Sequence, residues 1–170
     1  MSTREIQELQ EALRSARDEV LSAIDGISES EAHEIPAPGE WTVAQLLAHI
    51  TELQGFWIAR AVLITKEDNP QITRTAVEND QRIGAVTDHS GDNMTDLVRE
   101  MNTANDHVVA VVGDIDPENL DRPGHREDNP ITAAGVIRYV AGHVRDHADQ
   151  IIESRRLIGK RRKRKHHSVG

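Results

Sequence analysis

Three histidines in segments with helical apolar periodicity are the residues best placed to carry out chemistry. His143 and His147 are four residues apart, so on a helix both rings project from one face, one turn apart. His49 ends a similar apolar stretch about a hundred residues earlier. Two histidines on one helix and a third from a neighbouring helix form a donor set that suits a first-row metal ion. The sequence therefore predicts a divalent-metal site at His49, His143 and His147.

Two interpretations of this triad are open. In the first, one metal ion binds all three imidazoles, and Gln45, Gln150 or Tyr139 orients the rings by hydrogen bonding. In the second, the imidazoles bond only to one another, which requires complementary tautomers and places charges side by side on acidification. The metal interpretation is favoured because each ring lies on an otherwise apolar face and needs a partner there.

Two carboxylates are candidate general bases beside the triad. Glu52 follows His49 by three residues, and Asp146 follows His143 by three. The competing interpretation is that each is a solvated residue at the edge of a helix stripe. Four other histidines are predicted to be solvent-exposed: His33, His89, His107 and His125.

Charge is divided between an acidic body and a short basic run. Residues 160–165 hold six of the 20 basic residues, and the rest of the chain, with 14 basic and 29 acidic residues, carries about −15. Such a body repels nucleic acid and anionic membranes.

Because the chain has no cysteine, thiolate ligands are excluded, and any sulfur nucleophile must come from a cosubstrate. The N-terminus lacks the features of a signal peptide, and no apolar run is long enough to cross a membrane, which predicts a cytoplasmic protein.

Four amphipathic segments are predicted to position these residues. Capping boxes at Ser2–Glu5 and Thr42–Gln45 mark the start of the first two. No stretch alternates with period two for long enough to predict a strand, and residues 66–93 are predicted to be a long connection with one helical piece around Ile72–Ile83. The predicted fold is an all-α four-helix bundle with a long connection between helices two and three. The four predicted helices cover residues 3–25, 42–65, 95–112 and 132–157.

The predicted domain organisation is a bundle over residues 1–158 and a basic tail over residues 159–170. The tail is expected to be disordered, as chain ends with a run of like charge usually are. The alternative is an arm that binds nucleic acid weakly and without sequence preference, because the tail has no aromatic residue for stacking on bases.

Two motifs resemble those of a known family. The segment Pro38–Ile50, which ends in Leu-Ala-His49-Ile, resembles the entry to the second helix of the DinB/YfiT-like superfamily, and His143-x-x-x-His147-x-x-Gln150-Ile resembles its fourth-helix motif. The resemblance spans about residues 3–157. It implies a four-helix bundle in which the three histidines bind a divalent metal, zinc or nickel, with water at the open positions. It also implies a homodimer.

The resemblance also implies a class of activity. The superfamily includes thiol-dependent transferases and isomerases, which use the metal to activate a low-molecular-weight thiol. The related maleylpyruvate isomerase branch has a glutamate where this chain has His143, which argues against isomerase activity. We therefore expect a metal-dependent hydrolase or thiol-dependent transferase that acts on a small molecule. The alternative is a non-enzymatic, metal-stabilised binding or stress-response protein.

The surroundings of the metal are expected to separate these two possibilities. A cleft beside the metal that contains Glu52, Asp146 or an arginine would favour an enzyme. A metal capped by apolar side chains would favour a structural role.

Overall fold

Four long helices dominate the computed structural model, which describes residues 3–167. In the bundle, α1 packs against α5 and α6, and α3 packs against the same two helices. The predicted all-α four-helix bundle is confirmed. The α-helices of the described residues are α1 (Thr3–Ala23), α2 (Glu29–Ala32), α3 (Val43–Lys66), α4 (Ala76–His89), α5 (Met94–Gly113) and α6 (Ala133–His167). A short 3-10 helix covers Pro117–Asn119.

The start of α3 is fixed by the capping box that the sequence predicts. The side chain of Thr42 accepts a hydrogen bond from the backbone N–H of Gln45 at 3.1 Å, and Gln45 Oε1 accepts one from the backbone N–H of Thr42 at 2.8 Å. Two of the N–H groups that a helix start leaves unpaired are satisfied in this way. The other predicted box, at Ser2–Glu5, includes Ser2, which lies outside the described residues.

The long connection between the second and third bundle helices contains one helix, but it lies later than predicted. A second capping box, between Thr75 and Glu78, starts α4 at Ala76 instead of Ile72. Ile72 is extended and buried, and its backbone N–H donates to the carbonyl of His125. Helix α4 packs against α3, where Arg60 pairs with Glu78.

The expectation that the chain has no strand is wrong. Strands β1 (Pro123–Arg126) and β2 (Asn129–Thr132) form an antiparallel hairpin between α5 and α6. Each strand has only four residues, which is too short for a period-two pattern to be recognised in the sequence. Glu127, in the turn, has a φ of 55°. Gly124 allows β1 to lie close to α3, since a Cβ there would be 2.7 Å from the side chain of Ile64.

Helix α6 continues well beyond the predicted end near Leu157 and runs to His167. Basic residues in the last turns of a helix interact favourably with its dipole, which helps to explain the extension. Arg161 also pairs with Glu34 at 3.1 Å and donates to the carbonyl of Ile35 at 2.7 Å. Residues 168–170 lie outside the described residues. The division into a domain of residues 1–158 and a tail of residues 159–170 stays a prediction.

One apolar core joins the four long helices. No helix within residues 3–167 is both long enough and apolar enough to span a bilayer. The largest fully buried side chains come from all four long helices, with Ile72 and Leu120 from the connections: Leu13, Leu46, Leu47, Ile50, Leu53, Ile58, Ile64, Leu97, Met101 and Ile137.

Candidate metal centre

The three predicted ligands come together where α3 faces α6. The ring centroid of His49 lies 4.8 Å from that of His147 and 6.1 Å from that of His143, and the two rings of α6 are 4.6 Å apart. One ligand nitrogen from each ring lies within 4.8 Å of the other two. The three histidines could therefore hold a metal ion.

The pair on α6 has the spacing that a metal ion requires. Two nitrogens bound tetrahedrally to one zinc ion lie about 3.3 Å apart, and the Nε2 atoms of His143 and His147 are 3.3 Å apart. The same distance allows Nε2–H of His143 to donate a hydrogen bond to Nε2 of His147, as the second interpretation of the triad requires.

A hydrogen bond fixes the tautomer of His147. Its Nδ1–H donates to Gln150 Oε1 at 3.0 Å, so Nε2 of the neutral ring carries a lone pair on the side of His143. Gln150 thus has the orienting role that the sequence analysis considered. Gln45 is instead engaged in the capping box of α3. The ring of Tyr139 stacks on His143, with centroids 5.3 Å apart and planes inclined by 15°.

Burial keeps the triad neutral. His49 is only 6 % exposed, and burial, followed by the charges of His147 and Arg82, lowers its pKa to about 3. Burial also lowers the pKa of His143 and of His147. Neutral imidazoles are the form that binds a metal. The Nδ1 atom of His49 is buried without a hydrogen-bond partner, an unsatisfied group that a metal ion in the triad can explain.

An aromatic ring covers one side of the triad. The ring of Trp41, just before the cap of α3, lies 5.0 Å from the ring of His49 in an edge-on arrangement. It shields His49 from solvent on that side.

The other side opens through His143 into a cleft of about 320 Å³. Helices α3, α4 and α6 meet the hairpin there, and the cleft contains three arginines that the sequence analysis missed. A larger groove of about 700 Å³ between α1 and α6 contains none of the predicted site residues. The cleft-lining residues that bear on function are Trp57, Arg74, Arg82, Arg126, Tyr139 and His143.

The two candidate general bases have different surroundings. Both oxygens of Glu52 contact Arg74, at 2.7 and 3.0 Å, and both side chains are mostly buried. Asp146 is exposed on α6 and does not line the cleft. The catalytic role of either carboxylate stays a prediction.

The three arginines were not predicted as site residues because they lie in segments predicted to be connections. Arg74 and Arg82 lie between residues 66 and 93, and Arg126 lies in the hairpin. Both connections contain more acidic than basic residues, so their net charge does not mark the arginines. No local pattern in the sequence reveals that the three side chains share one cleft.

Three of the other histidines have partners, and Nδ1 of His125 lies 3.3 Å from Oδ1 of Asn69. His33, predicted to be solvated, has one ring nitrogen 2.8 Å from the carbonyl of Glu29 and the other 2.8 Å from the carbonyl of Asp92. His89 contacts the carboxylate of Asp92 at 2.7 Å, and these two form a second, more exposed group with Glu100.

The chain is similar to known proteins in both sequence and fold. A family model described as the DinB superfamily matches residues 12–151. Among solved structures, the chain is similar to YfiT from Bacillus subtilis, described as a probable metal-dependent hydrolase with an unusual four-helix bundle topology. The TM-score is 0.75 at 17 % sequence identity, and the match covers 94 % of this chain and 90 % of that one. This likeness supports the fold. No curated protein gives a significant match to the sequence.

Proposed function

The chain belongs to the DinB superfamily, and we propose that it is a metal-dependent enzyme that acts on a small molecule, either as a hydrolase or as a thiol-dependent transferase. One observation carries the proposal: three neutral histidines converge between α3 and α6, and His143 opens into a cleft that contains arginines. The description of YfiT as a probable metal-dependent hydrolase supports the same class of reaction.

The donor set fits a divalent ion such as zinc or nickel. His49, His143 and His147 would hold it through three neutral nitrogens, which leave its charge undiminished. When bound, such an ion supplies Lewis acidity, which makes a water molecule or a thiol cosubstrate more acidic. Because the chain has no cysteine, a thiol would have to come from a low-molecular-weight cosubstrate.

The residues around the triad each have a part in this proposal. Gln150 orients His147, and Tyr139 stacks on His143 at the cleft. Trp41 keeps solvent from His49. Glu52 and Asp146 are the candidate general bases, although Glu52 would have to share its carboxylate with Arg74.

The alternative is a metal that only stabilises the fold. The burial of His49 under Trp41 is the observation that favours it. A second copy of the chain as partner, implied by the family, belongs to the proposal in either case.

Metal analysis of the purified full chain tests the metal site. We expect about one divalent ion per chain, lost in His147→Ala and retained in the control His107→Ala, which replaces an exposed histidine of α5. A chelator should lower the melting temperature of the wild type and leave that of metal-free His147→Ala unchanged, because only the folded state presents the triad. A wild-type chain that takes up no divalent ion would overturn the proposal.

Activity assays separate the enzyme from its alternative. Ester hydrolysis and thiol transfer to an electrophilic aromatic substrate are measured with the zinc-loaded and nickel-loaded wild type and with His147→Ala. Metal-dependent turnover in either assay supports the enzyme and identifies its reaction. Bound metal that stabilises the fold without turnover across a panel of small esters, amides and thiol acceptors would favour the structural alternative.

A further inference from the structure

The residues that line the cleft at His143 carry a net positive charge, whereas the chain as a whole is negatively charged. The whole chain carries −9, yet three arginines line this cleft together with one acid, Glu127. The charge of Arg74 is balanced by its ion pair with Glu52. Arg82 and Arg126 lie within ion-pairing distance of no carboxylate in residues 3–167. A local excess of positive charge in an acidic protein attracts anions.

Arg82 is held by one nitrogen only. Its Nε–H donates to Asn79 Oδ1 at 3.1 Å, one turn earlier on α4. Its two terminal nitrogens have no protein acceptor within the part of the chain that the structure describes. The bond to Asn79 therefore orients the guanidinium while its terminal N–H groups stay available to a ligand.

The guanidinium group of Arg126 packs with its flat face against two aromatic rings. Its guanidinium carbon lies 4.7 Å from the ring centroid of Trp57 and 5.2 Å from that of Tyr139. Its guanidinium group has no hydrogen-bond acceptor among the described residues, so all of the guanidinium N–H donors stay available to a ligand. Cation–π contact through the face leaves the edge, which carries these donors, able to bind an oxyanion.

The hairpin tip that carries Arg126 is tied to the segment before α4. The backbone N–H of Glu127 donates to Thr73 Oγ1 at 2.7 Å and to Gln71 Oε1 at 2.9 Å. These bonds join the two segments that supply the arginines. A site that is preformed in this way loses less entropy on binding.

Arg82 and Arg126 line the same cleft as His143, beside the triad. A divalent ion at the triad would add positive charge beside these groups. An anionic ligand in the cleft would offset this repulsion.

We propose that Arg82 and Arg126 bind the carboxylate or phosphate group of a small organic anion, and that the bound molecule lies against His143. The proposal rests on the proposed function, since it names the class of substrate for the same site. A cleft of about 320 Å³ is at the lower end of the range for ligand pockets, which suits a small molecule.

The test is a titration of the full-length, 15N-labelled, zinc-loaded protein followed by NMR. The probes are benzoate, phenyl phosphate and the neutral benzamide. The variants are Arg82→Gln, Arg126→Gln and the double variant. The control is Arg99→Gln, which replaces an exposed arginine of α5 whose side chain is 65 % accessible.

We expect one or both anions to shift the amide signals around Arg126 and Tyr139, and benzamide to leave them unchanged. Each single variant should raise the dissociation constant about tenfold, because a charge-assisted contact is lost, and Arg99→Gln should bind as the wild type does. Tighter binding of phenyl phosphate assigns the cleft to phosphate esters, and tighter binding of benzoate assigns it to carboxylates.

Wild-type affinity in the double variant would overturn the proposal, since the anion would then be held elsewhere or by zinc alone. Equal binding of benzamide and benzoate, or no binding of either anion, would overturn it as well. Zinc content is measured on the same samples, and the titration is repeated on metal-free protein. Absence of zinc from the wild type counts against the metal site, whereas insensitivity to the arginine variants counts against the cleft.

Discussion

At the scale of single residues, metal binding by the triad depends on which ring nitrogen carries the proton. Gln150 decides this for His147, because its side-chain oxygen accepts from Nδ1–H and leaves the Nε2 lone pair toward His143. His49 has no such partner, since its Nδ1 is buried and unpaired. The ring of His147 is thus the one whose orientation is fixed before a metal binds.

Replacement of Gln150 should therefore weaken metal binding without disturbing the fold. We expect Gln150→Ala to lower zinc affinity about 10–100-fold, because the orienting hydrogen bond is lost, and Gln150→Glu to retain affinity. Competition with a chromophoric chelator measures the affinity. The control is Ile152→Ala, which replaces a side chain on the same helix that is 56 % exposed. Equal affinities of Gln150→Ala and the wild type would show that this hydrogen bond does not support the site.

At the scale of helices, buried polar groups connect elements that also share the apolar core. The side chain of Asn105 on α5 is buried, and its Nδ2 donates to the carbonyl of Leu13 on α1 at 3.1 Å and to Gln54 Oε1 on α3 at 2.9 Å. Three helices of the bundle thus meet at one amide. Buried networks of this kind help to specify one arrangement of the helices.

Asn105→Leu should destabilise the protein by about 1–3 kcal/mol, because two buried acceptors lose their shared donor. Urea denaturation monitored by circular dichroism measures the change in unfolding free energy. Thr103→Leu, at an exposed position of the same helix, is the control and should have little effect. If Asn105→Leu is as stable as the wild type, the amide contributes no net stability.

A second contact between elements should depend on pH. His33 bridges the end of α2 to the loop before α5, and the hydrogen bond to the carbonyl of Glu29, with that to Asp92, raises its pKa although partial burial opposes this. A raised folded-state pKa contributes stability that is fully present below the unfolded-state pKa of about 6.5. This contribution is lost as the pH rises through the folded-state value, since only the protonated ring donates to both carbonyls.

We therefore expect His33→Gln to lower the melting temperature more at about pH 6 than at about pH 8. Thermal denaturation of both proteins across this range measures the difference. His107→Gln, at an exposed position, controls for the loss of an imidazole and should leave the pH profile unchanged. A difference between His33→Gln and the wild type that is the same at both pH values would contradict the linkage.

At the scale of the whole molecule, the basic end of α6 contacts acidic and polar residues of the body. Arg161 and Arg162 pair with Glu34 at 3.1 and 3.7 Å, and Arg162 donates to the side chain of Ser30 at 3.1 Å. These contacts differ from the disordered arm predicted for residues 159–170. Weak binding of nucleic acid by this segment stays a prediction.

The double variant Arg161→Gln, Arg162→Gln should lower the melting temperature by about 2–4 °C, as expected for loss of a few partly exposed ion pairs in a chain of this size. The effect should shrink at high salt because the pairs are screened. The control, Lys163→Gln with Arg164→Gln, removes the same charge at exposed positions. Equal melting temperatures of the two double variants would support the disordered arm.

The sequence by itself determined the long helices and the identity of the three histidines. Helical periodicity and capping boxes depend on residues within a few positions of one another, so the start of α3 at the Thr42–Gln45 box was predictable. The same local geometry places His143 and His147 on one face. His49, at the end of a similar apolar stretch, completed the predicted set. The match over residues 12–151 confirms the family that the motifs resemble.

Only the tertiary structure decided which faces meet and what surrounds them. The cleft brings Arg74 and Arg82 beside Arg126 and His143, which lie much later in the sequence. The partners of Asn105 lie 92 and 51 residues away. Such contacts follow from packing and hydrogen bonding between distant segments, which leave no periodic pattern in one sequence. The hairpin was missed because each strand has only four residues. The extension of α6 was missed in part because Arg161 contacts Glu34 and Ile35, which lie far away in the sequence.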